Sequence, residues 1–162
     1  MLRYLRRGRK DAVAATTVAT ETRILVADDE EPYLQATAFV LRGAGFDVTA
    51  VPEGNHAILA FEVALLAKRP YDLMLLDIRM PGSSGWEVLR YVNEHTPPGV
   101  RRPKVLLMTG FTLELDLDRV REDGAEGILL KPFTNNALVN EIRRHLAIAV
   151  PVPTAGGGKF AS

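Results

Sequence analysis

The most informative part of the chain is residues 71–85, whose sequence is YDLMLLDIRMPGSSG. The first six of these residues are almost entirely apolar, and Asp77 follows at once. A nearly continuous apolar run of this length is typical of a strand covered on both faces, as in a parallel sheet between two layers of helices. The segment therefore predicts a central buried strand with a carboxylate at its end.

Short apolar runs and helical patterns alternate on both sides of this strand. The other predicted strands are residues 23–27, 47–51, 105–108 and 127–130. Apolar residues at helical spacing predict a helix after every strand. The first helix begins at Pro32 and contains Leu34, Ala38 and Leu41; the second contains Ile58, Phe61, Leu65 and Leu66; the third contains Trp86, Leu89 and Val92; the fourth contains Leu113, Leu117 and Val120; and the fifth spans residues 135–149. Five such repeats imply an α/β domain with a doubly wound, five-stranded parallel sheet.

The overall composition limits the classes of protein that need to be considered. The chain has 162 residues, 47% of them hydrophobic, and its 20 basic and 20 acidic residues leave no net charge. The length fits one domain, and the balanced charge argues against whole-chain attraction to nucleic acid or to an anionic membrane. No apolar run approaches the roughly 20 residues of a transmembrane segment. The absence of cysteine excludes disulfides and cysteine-ligated metal centres, and it fits a cytoplasmic location.

The two ends of the chain differ in composition from the part between them. Residues 1–21 are basic, and we expect a disordered arm there. Residues 150–162 combine prolines with three consecutive glycines, a composition that predicts a flexible tail or linker. The domain itself is expected over residues 22–149.

Polar side chains follow four of the five predicted strands. In a parallel sheet the carboxyl ends of the strands meet at one edge, and the functional crevice lies where the strand order reverses. The residues at these ends are Asp28 and Asp29 after the first strand, Asp77 after the third, Thr109 and Gly110 after the fourth, and Lys131 and Pro132 after the fifth. Taken singly, each could cap a helix, begin a turn or end a strand. Their joint placement predicts one site with three carboxylates, a hydroxyl and an ammonium group.

These residue types suit the transfer of a phosphoryl group. Crowded carboxylates need a cation among them, and an all-oxygen site selects a hard ion such as Mg²⁺. An ionised aspartate can then attack phosphorus as a nucleophile, while the metal and Lys131 neutralise the phosphoryl oxygens and Thr109 donates a hydrogen bond to one of them. The expected product is an aspartyl phosphate.

The ordered set of motifs closely resembles the response-regulator receiver domain of two-component signalling, the CheY-like family. Asp28-Asp29 resembles its acidic pair, and residues 77–85 resemble its D-x-x-M-P-G-x-x-G segment. Thr109-Gly110 resembles its switch threonine with a small neighbour, and Lys131-Pro132-Phe133 resembles its lysine motif. The resemblance covers residues 22–149 and implies a strand order of 2-1-3-4-5.

The resemblance also implies roles for the acidic residues. Asp77 would be the phosphoacceptor, and the donor would be a sensor histidine kinase or a histidine phosphotransfer protein. Mg²⁺ would be ligated by Asp29, Asp77 and the backbone carbonyl of Arg79, with Asp28 supporting the ion through water. The domain would catalyse its own phosphotransfer and its own dephosphorylation and would not be an enzyme in the ordinary sense.

A switch is implied as well. Lys131, Thr109 and Gly110 would contact the phosphoryl group, and the bond before Pro132 would be cis. The fourth helix, fifth strand and fifth helix, about residues 112–149, would form the switched face for a downstream protein or a second copy of the chain. The family often has an aromatic residue where this chain has Ile128. The smaller side chain predicts a smaller rearrangement, concentrated at residues 110–123.

Other functions remain open at this point. A scaffold receiver would work without phosphorylation. A flavodoxin-like FMN carrier would need a Ser/Thr/Gly-rich loop after the first strand, where this chain has four acidic residues that would repel phosphate. A haloacid-dehalogenase-type phosphatase would need D-x-D at residues 77–79, where the chain has Asp-Ile-Arg. No recognition-helix segment indicates a nucleic-acid-binding domain. We expect a stand-alone regulator, a phosphorelay shuttle or a piece of a longer protein.

Overall fold

The computed structural model describes residues 21–112 and 116–148. Apart from Glu21, the arm expected over residues 1–21 and the tail expected over 150–162 lie outside the described residues. The strands are β1 (Arg23–Ala27), β2 (Asp47–Val51), β3 (Leu73–Asp77), β4 (Lys104–Thr109) and β5 (Gly127–Leu130). The helices are α1 (Glu31–Gly43), α2 (Gly54–Leu66), α3 (Gly85–His95), α4 (Leu117–Glu122) and α5 (Asn135–His145).

All five strands form one parallel sheet in the order β2-β1-β3-β4-β5. This confirms the doubly wound α/β fold and the predicted strand order. The order reverses at β1, which pairs with β2 on one side and with β3 on the other. The carboxyl ends of β1 and β3 therefore flank the crevice in which sheets of this kind place their functional residues.

The core consists of two layers, one on each face of the sheet. Residues of β3 alternate between them: Met74 and Leu76 join α2 and α3 on one face, and Leu73 and Leu75 join α1 and α5 on the other. All five residues of β3 are buried. Because both faces of the strand are covered, its sequence is apolar throughout instead of alternating.

Some of the predicted helix details are wrong. Leu65 and Leu66 are neighbours on a helix and point about 100° apart, so both cannot face the core. Leu65 packs against it, while Leu66 is 84% exposed. The fourth helix begins only at Leu117, which is 60% exposed, so of the predicted apolar residues within α4 only Val120 is buried. Leu113 lies outside the described residues.

The fifth helix is shorter than predicted. It ends at His145 and not at residue 149, because Leu146 caps it and Ala147 takes a left-handed conformation with φ of 54°. The third strand also begins two residues later than predicted, at Leu73. Within the described ranges, no helix combines the length and the hydropathy needed to cross a membrane.

Candidate functional site

Three carboxylates lie together at the carboxyl ends of β1 and β3. One oxygen each of Asp28, Asp29 and Asp77 can be chosen so that all three lie within 4.8 Å of one another. Asp28 and Asp77 are buried, whereas Asp29 is exposed. The cluster therefore has a buried floor and one carboxylate at the solvent side.

Backbone hydrogen bonds fix the two buried carboxylates. Oδ1 of Asp28 accepts a bond of 2.9 Å from the amide of Glu30, and Oδ1 of Asp77 accepts a bond of 2.9 Å from the amide of Arg79. Each bond spans two residues, as in an Asx-turn, so the chain turns away directly after the strand. The same local geometry thus ends both strands and aims both carboxyl groups into the crevice.

Lys131 lies between these carboxylates. Its Nζ is 2.6 Å from Oδ2 of Asp28 and 2.6 Å from Oδ2 of Asp77, and it reaches Glu30 at 3.4 Å. The backbone places it there, because its amide donates to the carbonyl oxygen of Thr109 at 2.8 Å directly after β5. The peptide bond between Lys131 and Pro132 is cis.

Burial and charge act in opposite directions on these groups. Burial raises the pKa of Asp28, and the close contact with the ammonium group of Lys131 partly offsets that effect. Burial lowers the pKa of Lys131, but its close contacts with the carboxylates of Asp28 and Asp77 outweigh burial and raise the pKa above its ordinary value. The ammonium group therefore remains charged and neutralises part of the negative charge of the cluster.

Thr109 is the last residue of β4 and is buried. Its Oγ1 accepts a bond of 3.0 Å from the amide of Phe111. Gly110, between them, is exposed and has open space where a side chain would project. Ile128 is opposite Leu107 in the sheet and packs against the core layer that contains α2 and α3.

The loop between β3 and α3 is tightly constrained. A side chain at Gly85 would overlap the carbonyl oxygen of Asp77, and Gly82 has a φ of 73°, where side chains are strained. Ser84 and Glu87 form a capping box at the start of α3, in which each side chain bonds to the backbone of the other residue. The spacing of the 77–85 motif thus has a physical basis in the turn that follows Asp77.

Two aromatic neighbours of the site, Phe111 and Tyr33, were not identified from the sequence. The guanidinium of Arg79 lies 4.0 Å from the centre of the Phe111 ring, which bridges the loops after β3 and β4. The ring of Tyr33 lies 4.4 Å from Nζ of Lys131. Nothing in the helical pattern around Tyr33 distinguishes it from a surface residue, whereas Phe111 stands directly after the Thr109-Gly110 pair.

The donor set fits a divalent metal ion. Three carboxylate oxygens within 4.8 Å of one another suit a hard cation that prefers oxygen ligands, such as Mg²⁺. Asp28 already contacts Lys131, while Asp29 lies at the exposed side of the cluster. The arrangement is thus able to hold a cation and a further anionic group beside Lys131.

Fold and site together define the class of CheY-like receiver domains, with an acidic cluster and a lysine at the switch point of a 2-1-3-4-5 sheet. The family model of the response regulator receiver domain matches residues 24–143, and the chain belongs to this family, whose members are signalling domains of two-component systems. The chain is 35% identical over 124 residues to the DNA-binding response regulator MtrA of Mycolicibacterium paratuberculosis, an alignment that covers 76% of this chain. The same alignment covers 51% of the MtrA sequence, so the chain spans about half the length of the curated relatives it matches.

Solved structures agree with this assignment. The receiver domain of sensor histidine kinase PA1611 from Pseudomonas aeruginosa has a TM-score of 0.66 at 25% identity, with 78% of this chain and 98% of that chain covered. That structure holds a magnesium ion in its active site cleft. A signal receiver domain from Bermanella marisrubri has a TM-score of 0.62 at 30% identity and covers 76% of this chain and 97% of its own.

Proposed function

We propose that this chain accepts a phosphoryl group on Asp77 from a sensor histidine kinase or a histidine phosphotransfer protein, with Mg²⁺ as cofactor. The observation that carries the proposal is the position of Lys131, 2.6 Å from the carboxylates of both Asp28 and Asp77. A cation at that point can bind an oxygen of a phosphoryl group carried by Asp77. We place this reaction in the cytoplasm, which fits a chain without cysteine.

The reaction is a nucleophilic displacement at phosphorus. A carboxylate oxygen of Asp77 forms a bond to phosphorus while the phosphorus–nitrogen bond of the donor phosphohistidine breaks. The imidazole leaves with the electron pair of that bond and takes up a proton. Lys131 moves its hydrogen bond to a phosphoryl oxygen, and the hydroxyl of Thr109 turns to donate to another.

Asp28, Asp29 and Asp77 would hold the metal, together with the backbone carbonyl of Arg79. Bound Mg²⁺ supplies neutralisation of the phosphoryl oxygens. Asp29 is the best candidate for a direct ligand besides Asp77, because it is exposed and Asp28 is engaged by Lys131. Asp28 would then support the ion through water, and water that enters the same site would hydrolyse the aspartyl phosphate to release inorganic phosphate and restore the Asp77 carboxylate.

We further propose that the signal leaves through the face of about residues 112–149, towards a downstream protein or a second copy. Movement of Thr109 would be followed by Ile128, whose short side chain permits a small rearrangement. The change would be concentrated at residues 110–123. Amide hydrogen exchange with and without beryllofluoride tests this: equal changes over 134–149, or none in 110–123, would contradict it. The DNA binding in the name of MtrA is a property of that protein, and we assign none to this domain.

Phosphorylation is tested with acetyl phosphate and Mg²⁺, followed by mass spectrometry of the intact protein and its peptides. We expect the wild type to gain one phosphoryl group on Asp77, and Asp77→Asn to gain none there. Asp118→Asn, which changes an exposed carboxylate of α4, is the matched control and should be labelled normally. Labelling of Asp77→Asn at the wild-type rate would refute the assignment.

The metal site is tested separately by calorimetric titration with Mg²⁺. Asp29→Asn should bind the ion more weakly, and its fold should be as stable as that of the wild type or slightly more stable because one like-charge repulsion is removed. An unchanged affinity in this variant would exclude Asp29 as a ligand.

A further inference from the structure

Tyr33 lies in the first turn of α1, directly after the loop that carries the acidic residues at the end of β1. Its ring centre is 4.4 Å from Nζ of Lys131, within the distance of a cation–π contact. The same ring packs edge-on against Phe133, with 5.6 Å between the ring centres and 74° between the planes. Tyr33 thus contacts both residues that flank Pro132.

These contacts matter because a lysine side chain is flexible. Its four-carbon stem has many rotamers, and a compact ammonium group has no fixed direction for its hydrogen bonds. Two carboxylate oxygens at 2.6 Å, a third from the exposed Glu30 at 3.4 Å, and one aromatic ring surround Nζ of Lys131 in the structure. The ring face attracts the cation electrostatically and is part of a half-buried side chain, whereas the carboxylate of Glu30 is exposed to solvent.

The edge-on contact with Phe133 fixes the ring in turn. Tyr33 is half-buried and its phenol oxygen is buried. Its side chain extends from α1 and packs against Phe133, in the segment that joins β5 to α5. Preorganised groups of this kind stabilise charge without having to move at the moment of reaction. The ring therefore supplies a fixed surface for an otherwise mobile ammonium group.

We infer that Tyr33 is a positioning residue for phosphoryl transfer: its ring holds the Lys131 ammonium at the point where it contacts Asp77. This inference rests on the proposed function, in which Lys131 binds an oxygen of the phosphoryl group on Asp77. The role belongs to the aromatic ring and not to the hydroxyl. It predicts that a phenylalanine at this position works and that an aliphatic residue does not.

The test compares Tyr33→Leu with Tyr33→Phe in the rate of phosphorylation by acetyl phosphate and Mg²⁺. We expect Tyr33→Leu to slow the maximal rate about five- to thirtyfold, the factor for loss of a contact worth about 1–2 kcal/mol. Tyr33→Phe should remain close to the wild type. Tyr91→Leu is the control, because it removes a half-buried tyrosine from α3, where the ring stacks on His95.

A second measurement separates positioning from a general effect on folding. A ring face above Lys131 shifts the proton resonances of its ε-methylene group upfield, so this shift should persist in Tyr33→Phe and disappear in Tyr33→Leu. Tyr33→Met provides a second ringless variant if the leucine variant does not fold, and the phenylalanine variant tests the role of the ring in either case.

The outcomes separate the inference from the proposed function. If the wild type is not labelled on Asp77, the proposed function fails. If the wild type is labelled and the ringless variants are labelled at the same rate, with the Lys131 resonances unchanged, the inference is overturned while the proposed function stands. Equal losses in Tyr33→Phe and Tyr33→Leu would also overturn it, because the hydroxyl would then be the active group.

Discussion

Replacing Lys131 with methionine should destabilise the protein and make its stability depend on Mg²⁺. The change keeps a long unbranched side chain and removes the charge. The side chain of Lys131 is 9% exposed, and those of its partners Asp28 and Asp77 are 0% and 10% exposed. Without the ammonium group, these two buried carboxylates face each other with no cation between them.

The expected size of the effect follows from the geometry. Oxygens of Asp28 and Asp77 lie within 4.8 Å of each other, and two unit charges at that limit repel each other by about 3.5 kcal/mol at an effective dielectric constant of about 20. Removing one partner of a buried ion pair costs about 3–5 kcal/mol in other proteins. The expected loss of about 3–4 kcal/mol is a large part of the roughly 5–15 kcal/mol by which domains of this kind are stable.

Urea unfolding at neutral pH, followed by far-ultraviolet circular dichroism, measures this loss in EDTA and again with Mg²⁺. The ion should restore part of the stability of Lys131→Met, and it should stabilise the variant more than it stabilises the wild type. Lys104→Met, which changes an exposed lysine of β4, should remain within about 0.5 kcal/mol of the wild type. If Lys131→Met were as stable as the wild type in EDTA, or gained no more from Mg²⁺, the electrostatic argument would be wrong.

Three further changes probe the loops around the site. Gly85→Ala forces a methyl group against the carbonyl oxygen of Asp77. We expect a lower urea midpoint of unfolding and slower phosphorylation by acetyl phosphate. An unchanged rate would show that the close packing of Gly85 does not position Asp77. The backbone amide of Ser84 is the main cause of the lowered pKa of Glu87, and the Ser84 hydroxyl is the second. Ser84→Ala keeps the amide and removes only the hydroxyl, so the pKa should rise part of the way towards its ordinary value in an NMR titration. The pH-dependent part of the cap's stability, which is present above that ordinary value and lost as the pH falls through the lowered pKa, should diminish accordingly. Arg79→Ala removes the guanidinium from the face of the Phe111 ring. We expect the stability to change by at most about 1 kcal/mol and the labelled protein to lose its phosphate faster. An unchanged phosphate lifetime would exclude a role for this pair in limiting access of water.

The central strands β1, β3 and β4 were predictable because almost all of their residues are buried. The bounds predicted for the first, second and fifth strands are also those observed, although β2, with the sequence DVTAV, and β5 are mostly half-buried strands at the edges of the sheet. The order of the strands in the sheet could not be predicted from the apolar pattern. Periodicity indicates that a strand is buried, but the neighbours of a strand depend on long-range pairing, so the order came from the family resemblance alone.

The helices show where a periodic pattern misleads. α2 contains more apolar residues than its buried face can accommodate, and Leu59, Val63 and Leu66 are exposed. In α4, the helix is only six residues long and Val120 is its buried residue. Spacing shows which residues share a face of a helix, but the length of the helix and the direction of that face depend on packing against the sheet.

The candidate site was predictable as a set of residues but not as a set of contacts. Each strand end that was expected to carry a polar group does so, and the parallel sheet brings the acidic ones together. The contacts of Lys131 with Glu30 and Tyr33 span about a hundred residues of sequence and depend on the position of α1 against the last strand. No local pattern carries that information.

Lys131 connects the chemistry of the site with its surroundings through three different kinds of contact. Its ammonium group binds the carboxylates, its side chain lies on the ring of Tyr33, and its backbone amide bonds to the carbonyl oxygen of Thr109. A phosphoryl group on Asp77 would bring negative charge to the first of these contacts. The backbone hydrogen bond joins Lys131 to the end of β4. A displacement of Lys131 would therefore also displace Thr109, whichever side chain is present at position 128. The contacts of Lys131 thus link Asp77 to the end of β4 by a route that does not include Ile128.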